Sequence, residues 1–238
     1  LHSTSRRQRQ MCIRDSSMVD GLMVSIGVNE YAMSAVNLAI PFTNALFSIA
    51  VLFAVGSSTL IAIFIAQEKR REANALFSQN FATLLTLGAV ITALVLLFLE
   101  PFAYLLGADE ITLDYVKQYI LGIAPFSVCY LVSYNLEVLV KTDGYPRYAL
   151  FTVIGGCLTN CVLDYIAIFH LDMGVFGAAV ATGISQLVTC ISYFVHFFSK
   201  KCTFRLCKFR FDPHLYARIL PIGLSDGCLL YTSDAADD

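Results

Sequence analysis

Apolar stretches of about 20 residues or more recur along this chain, and its charged residues are confined to short clusters between them. A helical stretch of that length matches a bilayer hydrocarbon core about 30 Å thick. Composition agrees: of 238 residues, 57% are apolar and only 14% charged, where a soluble domain usually carries about 25% charged residues. The expected fold class is therefore all-α, a polytopic membrane helix bundle.

The first span is expected over about 18–27, as the final half of a span whose beginning is missing. Further spans are expected over about 35–65, 77–99, 119–140, 148–169 and 175–198, and a seventh begins near Arg218 and is cut off. The loops test this division independently. Lys69, Arg70 and Arg71 lie between spans two and three, and Lys141 and Arg147 between spans four and five. Lys200, Lys201, Arg205, Lys208, Arg210 and Arg218 follow span six. The intervening loops hold Lys117 as their one lysine or arginine, together with several acids. Positive charge alternates loop by loop, as the positive-inside rule requires of a six-span unit with a cytoplasmic amino terminus. The basic connectors read as solvated cytoplasmic loops.

Composition changes abruptly at both ends. Residues 1–16 are rich in Ser, Arg and Gln, and residues 228–238 turn to Thr, Ser, Asp and Ala where span seven should continue. Both tails read as non-native. The expected organisation is a transmembrane lobe over 17–199 and a connector with the start of span seven over 200–227.

Net charge is −2, which gives no indication of a nucleic-acid partner. Cys129, Cys157, Cys161 and Cys190 lie in apolar runs, where cysteine packs as a small hydrophobe. Cys202 and Cys207 flank a basic loop with no metal-type partner pattern nearby, so no protein metal centre or cofactor is expected. The four histidines are not paired within any span, His196 being placed at the interface, and an intramembrane enzyme has no evident nucleophile and base.

The chemistry lies in the acids within spans: Asp20, Glu137 and Asp164. A carboxylate at the centre of a span costs roughly 2.5–3.5 kcal/mol on insertion scales and is a functional hypothesis by default. Ten large apolar residues of span five, each worth about −0.3 to −0.6 kcal/mol, offset Asp164 but leave little margin once Asn160 and the glycines are counted. Asn160 and Asp164, four residues apart, share a helix face and present a carbonyl and a carboxylate side by side; Thr159 does not share it. Such oxygens can hold a hard cation such as sodium, and an acid in a low-dielectric cavity can instead exchange a proton. Local chemistry does not choose between them. A structural role in helix packing is the alternative for Asp164, and an interfacial position the alternative for Asp20. Glu137, one turn from Lys141, reads as an interfacial ion pair or as a buried auxiliary group.

Several stretches, in order, resemble the MATE multidrug efflux transporters. They are Gly56-Ser57-Ser58-Thr59-Leu60-Ile61-Ala62 with Glu72-Ala73-Asn74, Leu105-Leu106-Gly107-Ala108 with Tyr119, and Lys141-Thr142-Asp143-Gly144. Asn160-Cys161-Val162-Leu163-Asp164 follows, then the run from Gly174 to Thr182 with Ser185-Gln186. The resemblance covers about 18–223. It implies the amino-terminal six-span lobe of a twelve-span transporter of the MOP superfamily, and places a cation site at Asp20, Asn160, Asp164 and Thr182, with Glu137 and Gln186 as auxiliary candidates. Two positions depart from the pattern: Lys141 replaces the usual arginine, and Glu137 stands where many members carry a neutral amide.

The implied function is Na+- or H+-coupled antiport exporting amphiphilic organic cations across the plasma membrane, in a bacterium the inner membrane. The implied partners are a small amphiphilic substrate, the lipid bilayer and a missing carboxy-terminal lobe of the same chain. A lipid-linked saccharide flippase of the same superfamily is the alternative, which usually has a more cationic cavity; a non-transporting membrane scaffold is another.

Overall fold

The computed structural model describes residues 21–199, 202–203, 205–208 and 211–224. Asp20 and both tails lie outside the described residues. The described chain is helical: α1 (21–27), α2 (Glu30–Ala66), α3 (Arg70–Leu97), α4 (Leu99–Leu105), α5 (Leu113–Ile123), α6 (Ser127–Thr142), α7 (Pro146–Phe169), α8 (Gly174–Phe198) and α9 (213–224). Among the described residues, five segments are long and apolar enough to cross a membrane: α2, α3, the combined 113–142 segment, α7 and α8.

Helix ends run beyond the apolar runs that mark them. α2 begins at Glu30, earlier than expected, because Asn29 caps it by accepting the Ala32 N–H at 2.8 Å on Oδ1. α3 begins at Arg70, well before the apolar run at Phe77. Hydropathy marks what lipid must surround, whereas a helix propagates for as long as its own hydrogen bonds are satisfied. The short α4 falls in a stretch expected to be loop.

The segment expected as one span over 119–140 starts at Leu113 and is broken in the middle by a 3-10 turn, Ala124–Phe126. Pro125 is the cause, since it lacks the N–H that an α-helix would use there. The Ala124 carbonyl accepts the Ser127 N–H and also the Thr92 hydroxyl of α3, at 2.8 Å.

The described residues group into two compact units. One comprises the chain up to Asn44, Val90–Ser127 and Leu150–Thr189; the other comprises Ala45–Ala89, Val128–Ala149 and the chain from Cys190 onward.

In the first unit, small residues let helices approach closely, as in membrane bundles generally. A Cβ on Gly122 of α5 would lie 2.7 Å from the Ala179 Cβ of α8, and one on Gly183 of α8 would lie 2.1 Å from the Phe126 ring. α1 packs by Gly27 against Ile168 and Phe169 at the end of α7. Phe151, Leu158, Val162 and Tyr165 form the exposed apolar face of α7, as expected of a surface that lipid covers.

The second unit holds the basic connector. Along α3, Asn74 accepts the Arg205 N–H at 2.9 Å and Ser78 accepts the Cys207 N–H at 2.8 Å. Gln79 donates to the Asp212 carbonyl at 2.8 Å and accepts the Asp212 N–H at 3.2 Å. The connector is thus strapped to polar side chains of a helix, where the sequence reads as a solvated loop.

Candidate functional site

On α7, Gly156, Asn160 and Asp164 recur every four residues and are all buried. Asp164 is 0% and Asn160 2% exposed, so this polar stripe faces inward, opposite the apolar face of the same helix. Thr159 points elsewhere, its hydroxyl bonded back to the Gly155 carbonyl at 2.8 Å.

The facing helix supplies the third residue. Asn160 Nδ2 donates to Thr182 Oγ1 at 3.3 Å, and that hydroxyl donates to the Ala178 carbonyl at 3.0 Å. Ser185 and Thr189 continue the buried polar row of α8, each hydroxyl donating to a carbonyl one turn back. The row is close to α7 because Gly156 has no side chain: a Cβ there would lie 2.4 Å from Thr189 Oγ1. The Asn160 amide oxygen and the Asp164 carboxylate belong to residues one turn apart on the same face of α7. These are hard oxygen donors, the class that suits sodium rather than a soft transition metal.

Of the four residues proposed from the sequence, the structure joins Asn160 to Thr182 by a hydrogen bond and buries Asp164 one turn from Asn160 on the same helix. Asp20 lies outside the described residues. Gln186 is half-buried, on α8 one turn beyond Thr182.

Glu137 belongs to the second unit. Its side chain is 1% exposed and accepts Lys141 Nζ at 2.6 Å. It is both buried and ion-paired, which the sequence reading offered as alternatives. Beside it in the chain, Asn135 enters a network that the sequence reading missed. Asn80 donates to Ser57 Oγ at 3.0 Å and Asn135 donates to the same oxygen at 3.4 Å, while Ser57 donates to the Ala54 carbonyl at 3.3 Å. Asn80 and Asn135, each within an apolar run, were the available signal, of the same kind that drew attention to Asn160.

Residues 10–166 match the MatE family model. The chain belongs to the MatE family. At the level of sequence it is similar to the multidrug export protein MepA of Staphylococcus saprophyticus subsp. saprophyticus, with 26% identity over 200 residues, covering 82% of this chain and 44% of that protein. A MATE crystal structure in the bent conformation matches with a TM-score of 0.82 and 25% identity, over 89% of this chain and 48% of that one. An inward-facing multidrug resistance MATE transporter matches in fold with a TM-score of 0.83 and 24% identity, over 89% of this chain and 49% of that one. The chain spans less than half the length of MepA and about half that of the solved MATE transporters. It is a multi-pass membrane protein of the MATE multidrug efflux transporter family.

Proposed function

We propose that this chain forms the amino-terminal lobe of a cation-coupled exporter, with Asn160, Asp164 and Thr182 as its ion or proton site. The observation that carries this reading is the inward, fully buried carboxyl of Asp164, set on the same helix face as an amide whose partner is Thr182. Burying a carboxylate is costly unless it gains a proton or a cation. Loading that site from outside therefore exchanges a charged interior group for a neutralised one.

The switch follows from differential binding. A two-state protein responds to a ligand only by the difference in its affinity for the two states. Moving the balance from 1:99 to 99:1 requires about a 10⁴-fold preference. Na+ or H+ uptake at Asp164 biases the lobe towards one access state, and discharge returns it. The exported substrate is an amphiphilic organic cation, a choice supported by the multidrug export function named for MepA. Asp20 completes the ligand set, and a second, carboxy-terminal lobe supplies the rest of the pathway. The basic loops face the cytoplasm of a bacterial cell whose inner membrane holds the transporter.

The test is efflux of a fluorescent organic cation by the complete gene product in lipid vesicles under imposed Na+ or H+ gradients. Export driven by one gradient and lost in Asp164→Asn, with insertion intact, is the expected result. Undiminished gradient-driven export by Asp164→Asn would remove the assigned role. Movement of a lipid-linked saccharide instead of the cation would favour the flippase alternative.

A further inference from the structure

Three metal-ligating side chains from distant parts of the sequence converge in the second unit. Asp143, His196 and Cys202 each offer a ligand atom, and all three atoms lie within 4.8 Å of one another. None of them takes part in the ion site on α7 and α8.

The local structure explains how each arrives. Asp143 closes α6 in a Schellman turn: Gly144 has φ of +91°, the Tyr145 N–H bonds the Val140 carbonyl at 3.1 Å, and the Gly144 N–H bonds the Lys141 carbonyl at 3.2 Å. This fixes the backbone beneath the carboxylate. Thr203 N–H then donates to Asp143 Oδ1 at 3.0 Å, leaving Oδ2 directed at His196 Nε2, 3.1 Å away. His196 lies in the last turn of α8, with Tyr145 and Phe197 edge-on to its ring at centroid distances of 4.8 and 5.5 Å. Cys202 enters from the start of the connector and is buried.

We infer that Asp143, His196 and Cys202 form a binding site for a divalent transition metal ion of the zinc class. One thiolate, one imidazole and one carboxylate make a mixed donor set that suits a borderline ion rather than sodium, magnesium or calcium. Zinc bonds to nitrogen and oxygen of about 2.0–2.2 Å at tetrahedral angles put those two ligands about 3.4 Å apart. The Asp143–His196 separation is already close to that edge. The Thr203 amide and the aromatic rings beside His196 provide the outer-shell restraint that ligand residues require. A water molecule completes the tetrahedron. Binding releases the Cys202 thiol proton to solvent, while His196 ligates through Nε2 as the neutral tautomer that carries its hydrogen on Nδ1, so that the ion replaces the Asp143–His196 hydrogen bond. The bound ion ties the turn after α6, the end of α8 and the beginning of the connector into one cross-link. The site stands independently of whether Asp164 couples transport.

The complete gene product, purified in detergent under reducing conditions and stripped with chelator, is titrated with Co2+ and then with Zn2+. The expected result is one Co2+ bound with a thiolate-to-cobalt absorption band in the near ultraviolet, bleached when Zn2+ displaces it. Cys202→Ser should abolish the band, Cys207→Ser should keep it, and His196→Gln should weaken Co2+ binding about a hundredfold or more, above the 10–100-fold that loss of an outer-shell partner costs. No band in the unsubstituted protein, or a band retained in Cys202→Ser, overturns the assignment. The unsubstituted protein gives a second readout that needs no variant to fold. Zn2+ should slow maleimide labelling of Cys202, located by mass spectrometry, at least tenfold; unchanged labelling would equally overturn it.

Discussion

Among the described residues, each of the two units buries one carboxyl group within a helix, and the residue one turn away on the same face makes the two acids different. Asp164 has Asn160 four residues before it, bonded in turn to Thr182. Glu137 has Lys141 four residues after it, with the ammonium 2.6 Å from its carboxylate. The second arrangement carries its own counter-charge and is electrically complete. The first sets a buried acid one turn from a neutral amide, the pair proposed above as part of an exchangeable-cation site. Equal spacing in sequence thus yields an ion pair in one unit and, in the other, the acid and amide that we propose as a loadable site.

Substitution of the acids should separate them most widely. Gradient-driven export is expected to be lost in Asp164→Asn and retained in Glu137→Gln, measured by vesicle efflux of the complete protein. Equal loss in both would erase the distinction.

Removing the counter-charge probes the second unit alone. Lys141→Met leaves Glu137 buried without its ammonium, a change that costs about 3–5 kcal/mol when one partner of a buried pair is removed; since Lys141 is 20% exposed, the lower end is expected. Adding Glu137→Gln to Lys141→Met should recover most of the loss in thermal unfolding. A double variant no more stable than Lys141→Met would show that the pair is not self-contained.

Packing in the first unit is the next test. Gly183→Ala forces a methyl group into the Phe126 ring, and overpacking of this kind costs about 1–3 kcal/mol. Phe126→Leu in the same chain should relieve part of it, and an unaltered melting temperature in Gly183→Ala would contradict the close approach.

The smallest effect is expected outside the spans, at Asp109. Its Oδ1 accepts the Thr112 hydroxyl at 2.7 Å, the Thr112 N–H at 2.8 Å and the Ile111 N–H at 3.2 Å. The Thr112 hydroxyl is the main cause holding this carboxyl below its ordinary value of 3.8. A group lowered in the folded state contributes stability that is full above the unfolded value and lost as pH falls through the folded one. Amide exchange at Ile111 and Thr112 should therefore lose protection below pH 3.8, and Asp109→Asn should abolish that pH dependence. Protection that falls equally in both would assign it to another group.

Much of the fold was legible because a bilayer imposes a length and a polarity on every crossing. Spans 148–169 and 175–198 correspond closely to α7 and α8, since turns end both helices near the limits of their apolar runs. The break at Pro125 was less legible: hydropathy stays high through it, and only the backbone reveals that the missing N–H produces a 3-10 turn with Thr92 bonded to the Ala124 carbonyl. Within the candidate site, Asn160 and Asp164 share a face by helical geometry alone. The Asn160–Thr182 bond depended on how two helices pack, which no local spacing encodes.

The amino-acid sequence on its own determined that this protein is a helical membrane bundle and that a carboxyl and an amide sit one turn apart within a span, because hydrophobic length and the 3.6-residue period act over neighbouring residues. Only tertiary structure decided that Glu137 is buried with its lysine, that Ser57, Asn80 and Asn135 share one hydroxyl, and that Asp143, His196 and Cys202 meet. Those groups come together through helix packing and the path of a connector strapped to α3, and contacts between distant segments leave no periodic trace along the chain.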